Sequence, residues 1–530
     1  MFLKIYLFPL LLSTGFCLNA QTLQLEWVAQ YFDVSSQGIV NSFNRPMIDS
    51  EKNVYVCGKD ATVTSSSSFL FLKYDSLGNF LWQAGFDNLF PDFLNGCVLT
   101  ATGLIAGGTS KDQPGGGAGR AILISYDEDG GERYLKSVFD PQDYSASLDG
   151  LEMDGEGYLY AVGLVCPKPC ENPFEENMSY IAKIDPATGE VIWANTDYSG
   201  KAFLIKVAGD KLRVLGTTND SIRFYLREMD FDGNVLYSAF FPDLCGSPSM
   251  DVNGDVITTG DLICKMTIAG DTAWSYDYLE GNADFIGGVR NVISDNTGNI
   301  YGTGWLIDTV LNVGYTKTVK ISPTGALLWS SKSQHSEEVA WEDGRAIALS
   351  EDYAFVCSQV AFDGPSGLIA DFRPILYSNE DGAVLSDTLI DLSSNDIPLF
   401  AAWDGEHFYF KGTFFTGNSS QTPLSIALFK FSIDEPVATK ETAKLQKDIT
   451  VSPNPFGKYF NLLIEAAKSG EATMSVFSPL GQRVHRSAVQ LDKGGNNLSI
   501  EGTDKWPDGF YFVAIEMEGR TYTEKIVKTD

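Results

Sequence analysis

A chain of 530 residues is longer than one ordinary core can serve, so several domains or a repeat array are expected. Hydrophobic residues at 44% exclude bulk disorder, and 12% aromatics with 51 glycines suit many short strands joined by tight turns. The formal net charge of −31 repels nucleic acid and anionic lipid, which excludes both as expected partners.

The first element is an address. Residues 1–20 carry one positive charge at Lys4, an apolar run from Ile5 to Phe16, and a small residue, Ala20, before a cut at Gln21. That run falls short of the roughly 18–20 apolar residues a membrane-spanning helix needs, and no later stretch comes closer. A signal peptide is therefore expected, with no membrane-spanning segment after its removal. Phe16 stands where a lipid-attached Cys17 would require a small residue, so a lipid anchor is not expected.

From residue 21 to 434 one phrase keeps returning. "KYDSLGNFLW", "KIDPATGEVIW", "EMDFDGNVLY" and "KISPTGALLW" each place a turn residue and a glycine ahead of an aromatic. The turn position falls at Asp75, Asp127, Asp185, Asp230, Thr267, Ser322, Asn379 and Ser432 or Ile433. A spacing of about fifty residues is that of a blade of four strands. Apolar alternation with Gly punctuation, as in "LEMDGEGYLYAVGLV" and "VRNVISDNTGNIYGTGW", reads as strand pairs rather than helices. The expectation is an all-β body, a closed β-propeller in which the phrase is the third strand, turn and fourth strand of each blade. Eight anchors predict eight blades; the short fifth unit around "ICKMTIAGDTAWSY" leaves seven as the alternative. The opening "TLQLEWVAQYF" is an outer strand with no blade before it, and "IALFKFSID" is a third strand with no successor, so each is expected to complete the other.

The body offers little catalytic inventory. His335 and His407 lie in no nucleophile or metal-spacing motif, and His485 lies in the tail. Glu337, Glu338, Glu342 and Asp343 cluster in sequence, as the paired carboxylates of glycoside hydrolysis would, but a solvated loop is the expectation. "DVNGD" at 251–255 and "DFDGN" at 230–234 lack the later Gly and Glu of a calcium loop and read as hairpin turns. No catalytic, cofactor-binding or metal residue is assigned. Among the cysteines, "CPKPC" places Cys166 and Cys170 for a local disulfide in an oxidising compartment, while Cys57 and Cys357 read as small buried apolar residues.

Residues 435–447 are polar and aperiodic and read as a linker. From 448 to 530 short strands separated by Gly, Asp and Asn turns suggest a small β-sandwich. The charge changes here as well: from Ile449 onward nine Lys/Arg face ten Asp/Glu, so nearly all the negative charge belongs to the body.

Two resemblances add to this reading. "KIDPATGEVIW" resembles the repeat of the pyrroloquinoline-quinone-type propellers, and the units in general resemble bacterial propeller repeats of exported proteins. Enzymes of the quinone type, the resemblance implies, carry a vicinal cysteine pair or polar axial ligands; no adjacent cysteines occur here, and no cofactor is expected. The tail resembles the type A C-terminal sorting domain of type IX secretion. It carries "PNPF" (Pro453, Asn454, Pro455, Phe456), "SPLGQRV" with Gly481, "PDGFYFV" with Pro507, Gly509 and Tyr511, and "KIVK" with Lys525 and Lys528, in the family's order. That resemblance implies the type IX secretion machinery as a partner and passage through the periplasm of a Gram-negative bacterium to the outer-membrane surface or the medium. The expected function is an exported propeller that binds an unknown extracellular ligand, a glycan, protein or matrix component. The alternative is a secreted hydrolase or oxidoreductase acting at the propeller axis.

Overall fold

In the computed structural model, residues 21–31, 36–38, 44–62, 67–88, 90–111, 119–139, 142–168, 176–219, 223–241, 246–336, 339–364, 367–393, 395–415, 424–434, 449–466, 468–477, 483–506, 509–517 and 520–529 are described. The expected signal peptide and linker lie outside them. The chain divides into two compact units, Met1–Pro436 and Val437–Asp530. Among the described residues strands dominate, and no helix is long and apolar enough to cross a membrane.

The first unit holds eight antiparallel sheets among its described residues. We number them 1 to 8 along the chain: 36–86, 92–139, 144–199, 201–241, 247–277, 285–333, 339–387 and 396–434. Sheets 2 to 7 have four strands in chain order, and in sheet 1 the first position is split between Ser36–Gly38 and Met47–Ile48. Sheet 8 takes three strands from the end of the unit and its fourth from the beginning. Thr22–Tyr31 pairs antiparallel with Leu424–Asp434, from Thr22 opposite Asp434 to Tyr31 opposite Ile426.

Successive side chains of a strand point to opposite faces, and the inner strands are buried almost continuously, as in Gly103–Lys111 and Leu159–Pro167, so each sheet has two buried faces and packs on both neighbours. The core clusters follow that rule without a gap. Sheets 1 and 2 share Tyr55, Phe71, Leu104 and Ile124, and each later pair of consecutive sheets up to 7 and 8 shares its own cluster. A further cluster joins sheet 8 to sheet 1 through Ala29, Tyr409 and Leu428 against Val54, Val56 and Leu72.

The recurring phrase has a physical explanation at these junctions. In five of the third-to-fourth turns a carbonyl at the start of the turn points at the preceding sheet. There it accepts the ring N–H of that sheet's outer Trp: Trp27 to Ser76, Trp82 to Glu128, Trp193 to Phe231, Trp274 to Pro323 and Trp329 to Asn379, at 2.8–3.1 Å. At the junction of sheets 2 and 3 the Tyr134 hydroxyl donates to Pro186 instead. The turn glycine then lies under the ring. At Gly130 φ is +83°, and a Cβ there would stand 2.8 Å from Trp82 Cδ2, so geometry and space both demand glycine. The lysine of the phrase supports the same carbonyl in three junctions: Lys73 on Glu128, Lys320 on Asn379 and Lys430 on Ser76.

The turn aspartates are spent inside their own hairpins. Asp75, Asp230 and Asp251 each accept the backbone N–H groups two and four residues on through Oδ1. The second oxygen of Asp230 takes the Asn234 amide and that of Asp251 takes Lys265. Both calcium-loop look-alikes are thus hairpin turns.

The second unit is two sheets facing one core. One has Ile449–Ser452, Tyr459–Ala466 and Gly494–Glu501; the other has Arg483–Leu491, Gly470–Phe477, Gly509–Met517 and Arg520–Lys528. Phe460, Leu462 and Ile464 from the first pack on Met474, Val476, Val513, Ile515 and Ile526 from the second.

Candidate functional site

Two places in the molecule gather chemistry-bearing residues, one in each unit. In the body the place is the start of sheet 7. The strand Val339–Leu349 carries Glu342 and Asp343, which the sequence suggested for a solvated loop; instead both are buried, at 0% and 2% exposure. The sequence reading missed this because charged residues seldom sit in an inner strand unless they are paired. Glu337 and Glu338 lie outside the described residues.

Both carboxylates are paired. Glu342 Oε2 accepts Arg373 Nη1 at 2.7 Å and Thr316 Oγ1 at 3.0 Å, and Oε1 accepts the backbone N–H of His335. Arg373 also donates through Nε to Asp387 at 2.8 Å and through Nη1 to Ser333. His335 Nδ1 stands 3.7 Å from the same Asp387 oxygen. Asp343 sits between Arg290 and Arg345 at 3.0 and 3.1 Å. Burial pushes Glu342 and Asp343 upward from the ordinary carboxylate range, against the pull of their arginines. Asp387 moves down, held by the neighbouring His335 ring and, against burial, by Arg373. Carboxylates so closed off and paired are fixed in place, which suits a structural role better than proton transfer to a substrate.

One residue row further, Asp371 meets Asp391 and Asp396. One oxygen of each lies within 4.8 Å of the others; Asp371 and Asp396 are buried and Asp391 is exposed. The sequence did not suggest this trio. A signal exists in "ADFRP", where alternation places Asp371 and Arg373 on one face of an otherwise apolar strand.

The three histidines do not converge. His407 closes the Asp404-capped turn of sheet 8, its N–H donating to Asp404, and His485 lies in the other unit near Ser487. Cys57 and Cys357 are fully buried in their core clusters, as small apolar residues are. Cys166 is disulfide-bonded, and Cys170 lies outside the described residues.

In the second unit the two ends of the sequence pattern meet. The backbone of Phe456 donates to Val527 and accepts from Thr529, in a parallel bridge opposite Lys528, and Asn454 Oδ1 accepts the Val527 N–H at 2.8 Å. The Phe456 ring, 1% exposed, packs on Phe460, Trp506 and Tyr511. "PNPF" and "KIVK" thus form one clamp, with Tyr511 beneath it and Gly509 opposite Lys528 in the neighbouring strand. Lys528 itself is buried. Gly481 and Pro507 lie outside the described residues, and of the Lys525 side chain nothing is described.

The comparisons divide along the same line. Residues 450–529 match the family model described as the secretion system C-terminal sorting domain. No curated protein matches the chain. Among solved structures, a computationally designed protein, Ika8, is similar at 12% identity over 74% of this chain and 98% of its own, with a TM-score of 0.42. The Cps50 (Swd1) β-propeller domain of Myceliophteria thermophila is similar at 9% identity over 65% and 100%, with a TM-score of 0.34. A PL25 ulvan lyase is similar at 8% identity over 77% and 94%, with a TM-score of 0.36. At these scores the likenesses decide nothing about blade number or function.

Proposed function

We propose that the chain is an exported protein whose body, residues 21–434, is a closed eight-bladed propeller that binds an extracellular ligand, and whose tail delivers it to the cell surface or the medium through type IX secretion. The observation that carries this reading is the sorting-domain match over 450–529, together with the clamp between its first and last motifs. The eight sheets, the strand shared between the two ends of the body and the core joining sheet 8 to sheet 1 support a closed ring. Binding is favoured over catalysis because the buried carboxylates of sheet 7 are held by arginines. The export signal at residues 1–20, passage by way of the periplasm and a Cys166–Cys170 pairing belong to the same reading, and peptide mapping of the unreduced protein tests the pairing.

A reporter fusion tests delivery. Residues 440–530 joined to an unrelated exported reporter should carry it to the surface or medium in a strain with this secretion system, and leave it periplasmic in a strain without the outer-membrane translocon. Truncation after Glu441 should leave a folded body in the periplasm. A truncated chain that still reaches the surface, or a fusion retained in the competent strain, refutes the assignment.

A further inference from the structure

We infer that Asp371, Asp391 and Asp396 form a binding site for a hard divalent cation, calcium by size, which ties sheet 7 to sheet 8. Asp371 comes from the third strand of sheet 7, Gly367–Ser378, and Asp396 opens the first strand of sheet 8, Asp396–Trp403. Asp391 stands on the connection between the two sheets. The connection is pinned to the Asp371 strand by paired backbone hydrogen bonds between Phe372 and Ile390 and by a bridge from Ala370 to Asn395.

Calcium takes oxygen ligands at about 2.3–2.6 Å, so oxygens on opposite sides of one ion lie about 5 Å apart. Three carboxylate oxygens mutually within 4.8 Å therefore fit around a single ion of that size. Asp396 is already oriented, with Oδ2 accepting the Leu392 N–H at 2.8 Å and Oδ1 the Ser393 hydroxyl at 2.6 Å. A carboxylate oxygen keeps a lone pair for a metal while accepting one hydrogen bond. Exposed Asp391 gives the ion a path in and leaves room for water ligands.

The decisive residue is Asp371. It is 7% exposed and aimed into the trio, yet among the described residues no hydrogen-bond donor, lysine or arginine reaches its carboxylate, and the basic group close enough to act on it is His335, which faces Asp387. The neighbouring buried acids are treated otherwise: Glu342 has Arg373, Asp343 has Arg290 and Arg345, and Asp404 has Lys52. A buried carboxylate without donors is costly, and two more acids beside it raise the cost.

The position also has a structural use. Sheet 8 takes its fourth strand from the N-terminus and so has no third-to-fourth turn, and among the described residues the 7-to-8 junction lacks the aromatic-to-turn hydrogen bond made by a Trp at five others and by Tyr134 at a sixth. A cation held by both sheets supplies a tie there.

The test uses the full chain from residue 21, stripped with chelator and titrated with CaCl2 by calorimetry, with thermal unfolding measured in parallel. Wild type should bind one ion saturably with a dissociation constant of about 0.1–1 mM, as extracellular sites do, and its unfolding midpoint should rise with calcium. Asp371→Asn should weaken binding by at least about tenfold, as loss of one anionic ligand requires, yet unfold no lower than wild type in chelator because a like-charge contact is gone. Asp391→Asn, at an exposed side chain, should show the same loss of binding with an unchanged fold. Absence of saturable calcium binding in wild type, or binding unchanged in both variants, overturns the site.

Discussion

The body and the tail solve the same problem, joining sheets into a unit, in opposite ways. In the body one device is repeated: an outer aromatic donates to a turn carbonyl of the next sheet and covers its glycine. In the tail each motif occurs once, and the clamp of Phe456 on the last strand has no second copy. Repetition tolerates lapses. At the junction of sheets 4 and 5 Gly270 stands nearest the Phe240 backbone carbonyl, with no outer ring over it, and the junction of sheets 7 and 8 has no such turn, yet both keep a shared core. Damage to the body should therefore be graded except where the sheet shared by its two ends is opened, and damage to the tail should be concentrated at its clamp.

The largest expected effect opens the sheet that joins the two ends of the body. Deleting Thr22–Tyr31 removes the fourth strand of sheet 8, the Trp27 tie to Ser76 and part of the core joining sheet 8 to sheet 1. An unpaired edge along Leu424–Asp434 follows, open to pairing with another chain. The deletion should abolish cooperative unfolding of the body and cause aggregation, read by calorimetry and light scattering. An unchanged body transition would show that the body does not depend on this strand.

Next comes the clamp. Phe456→Ala empties a fully buried aromatic position among Phe460, Trp506 and Tyr511, a change that typically costs about 3–5 kcal/mol. In calorimetry of the full chain the tail transition should fall or vanish while the body transition stays in place. A fall in both would mean that the two units do not unfold independently, and the comparison would fail.

How much of this could be read from the sequence follows from the same contrast. The phrase was legible because it repeats: a Trp after a turn glycine, recurring about every fifty residues, needs no knowledge of its partner. What the Trp touches was not legible, since its acceptor lies in the next repeat, 38–50 residues away at the five tryptophan junctions. The tail motifs were recognisable by order, but their meeting across 73 residues, Asn454 to Val527, needed the fold. The charged cluster of sheet 7 was misread for a related reason. Glu342 and Asp343 look like loop residues until Arg373, Arg290 and Arg345 are brought to them, and sequence spacing carries no such distance.

A smaller effect, confined to the body, is set by pH. Asp92 opens the first strand of sheet 2 with no exposure, and burial pushes it up to about 6. A carboxyl raised in this way favours the folded state in its protonated form. Its contribution is full below the unfolded value of about 3.9 and is lost as pH rises through about 6. Asp92→Asn should therefore gain stability relative to wild type between about pH 4 and pH 6.5, with the tail transition indifferent to the change. A difference between variant and wild type that stays flat across that window would show that Asp92 does not titrate as placed.

The smallest effect tests the repeated device against its own spare parts. Trp82 and Lys73 both donate to the Glu128 carbonyl, at 2.8 and 3.0 Å. Trp193 donates to Phe231 at 3.1 Å without such help, since Lys183 lies over the rings of Tyr158 and Tyr160 instead. Replacing either Trp by Phe keeps most of the ring and removes the N–H. At Glu128 the carbonyl keeps a donor, so Trp82→Phe should cost about 0.5–1 kcal/mol, the net worth of one hydrogen bond. At Phe231 the carbonyl loses its donor, so Trp193→Phe should cost more, up to about 2–3 kcal/mol where water does not replace it. Adding Lys73→Met to Trp82→Phe should then exceed the sum of the two single changes, because only the pair leaves Glu128 without a partner. Equal costs at the two tryptophans, or strict additivity at Glu128, would mean that the ring contact with the turn glycine carries the junction and the shared carbonyl does not.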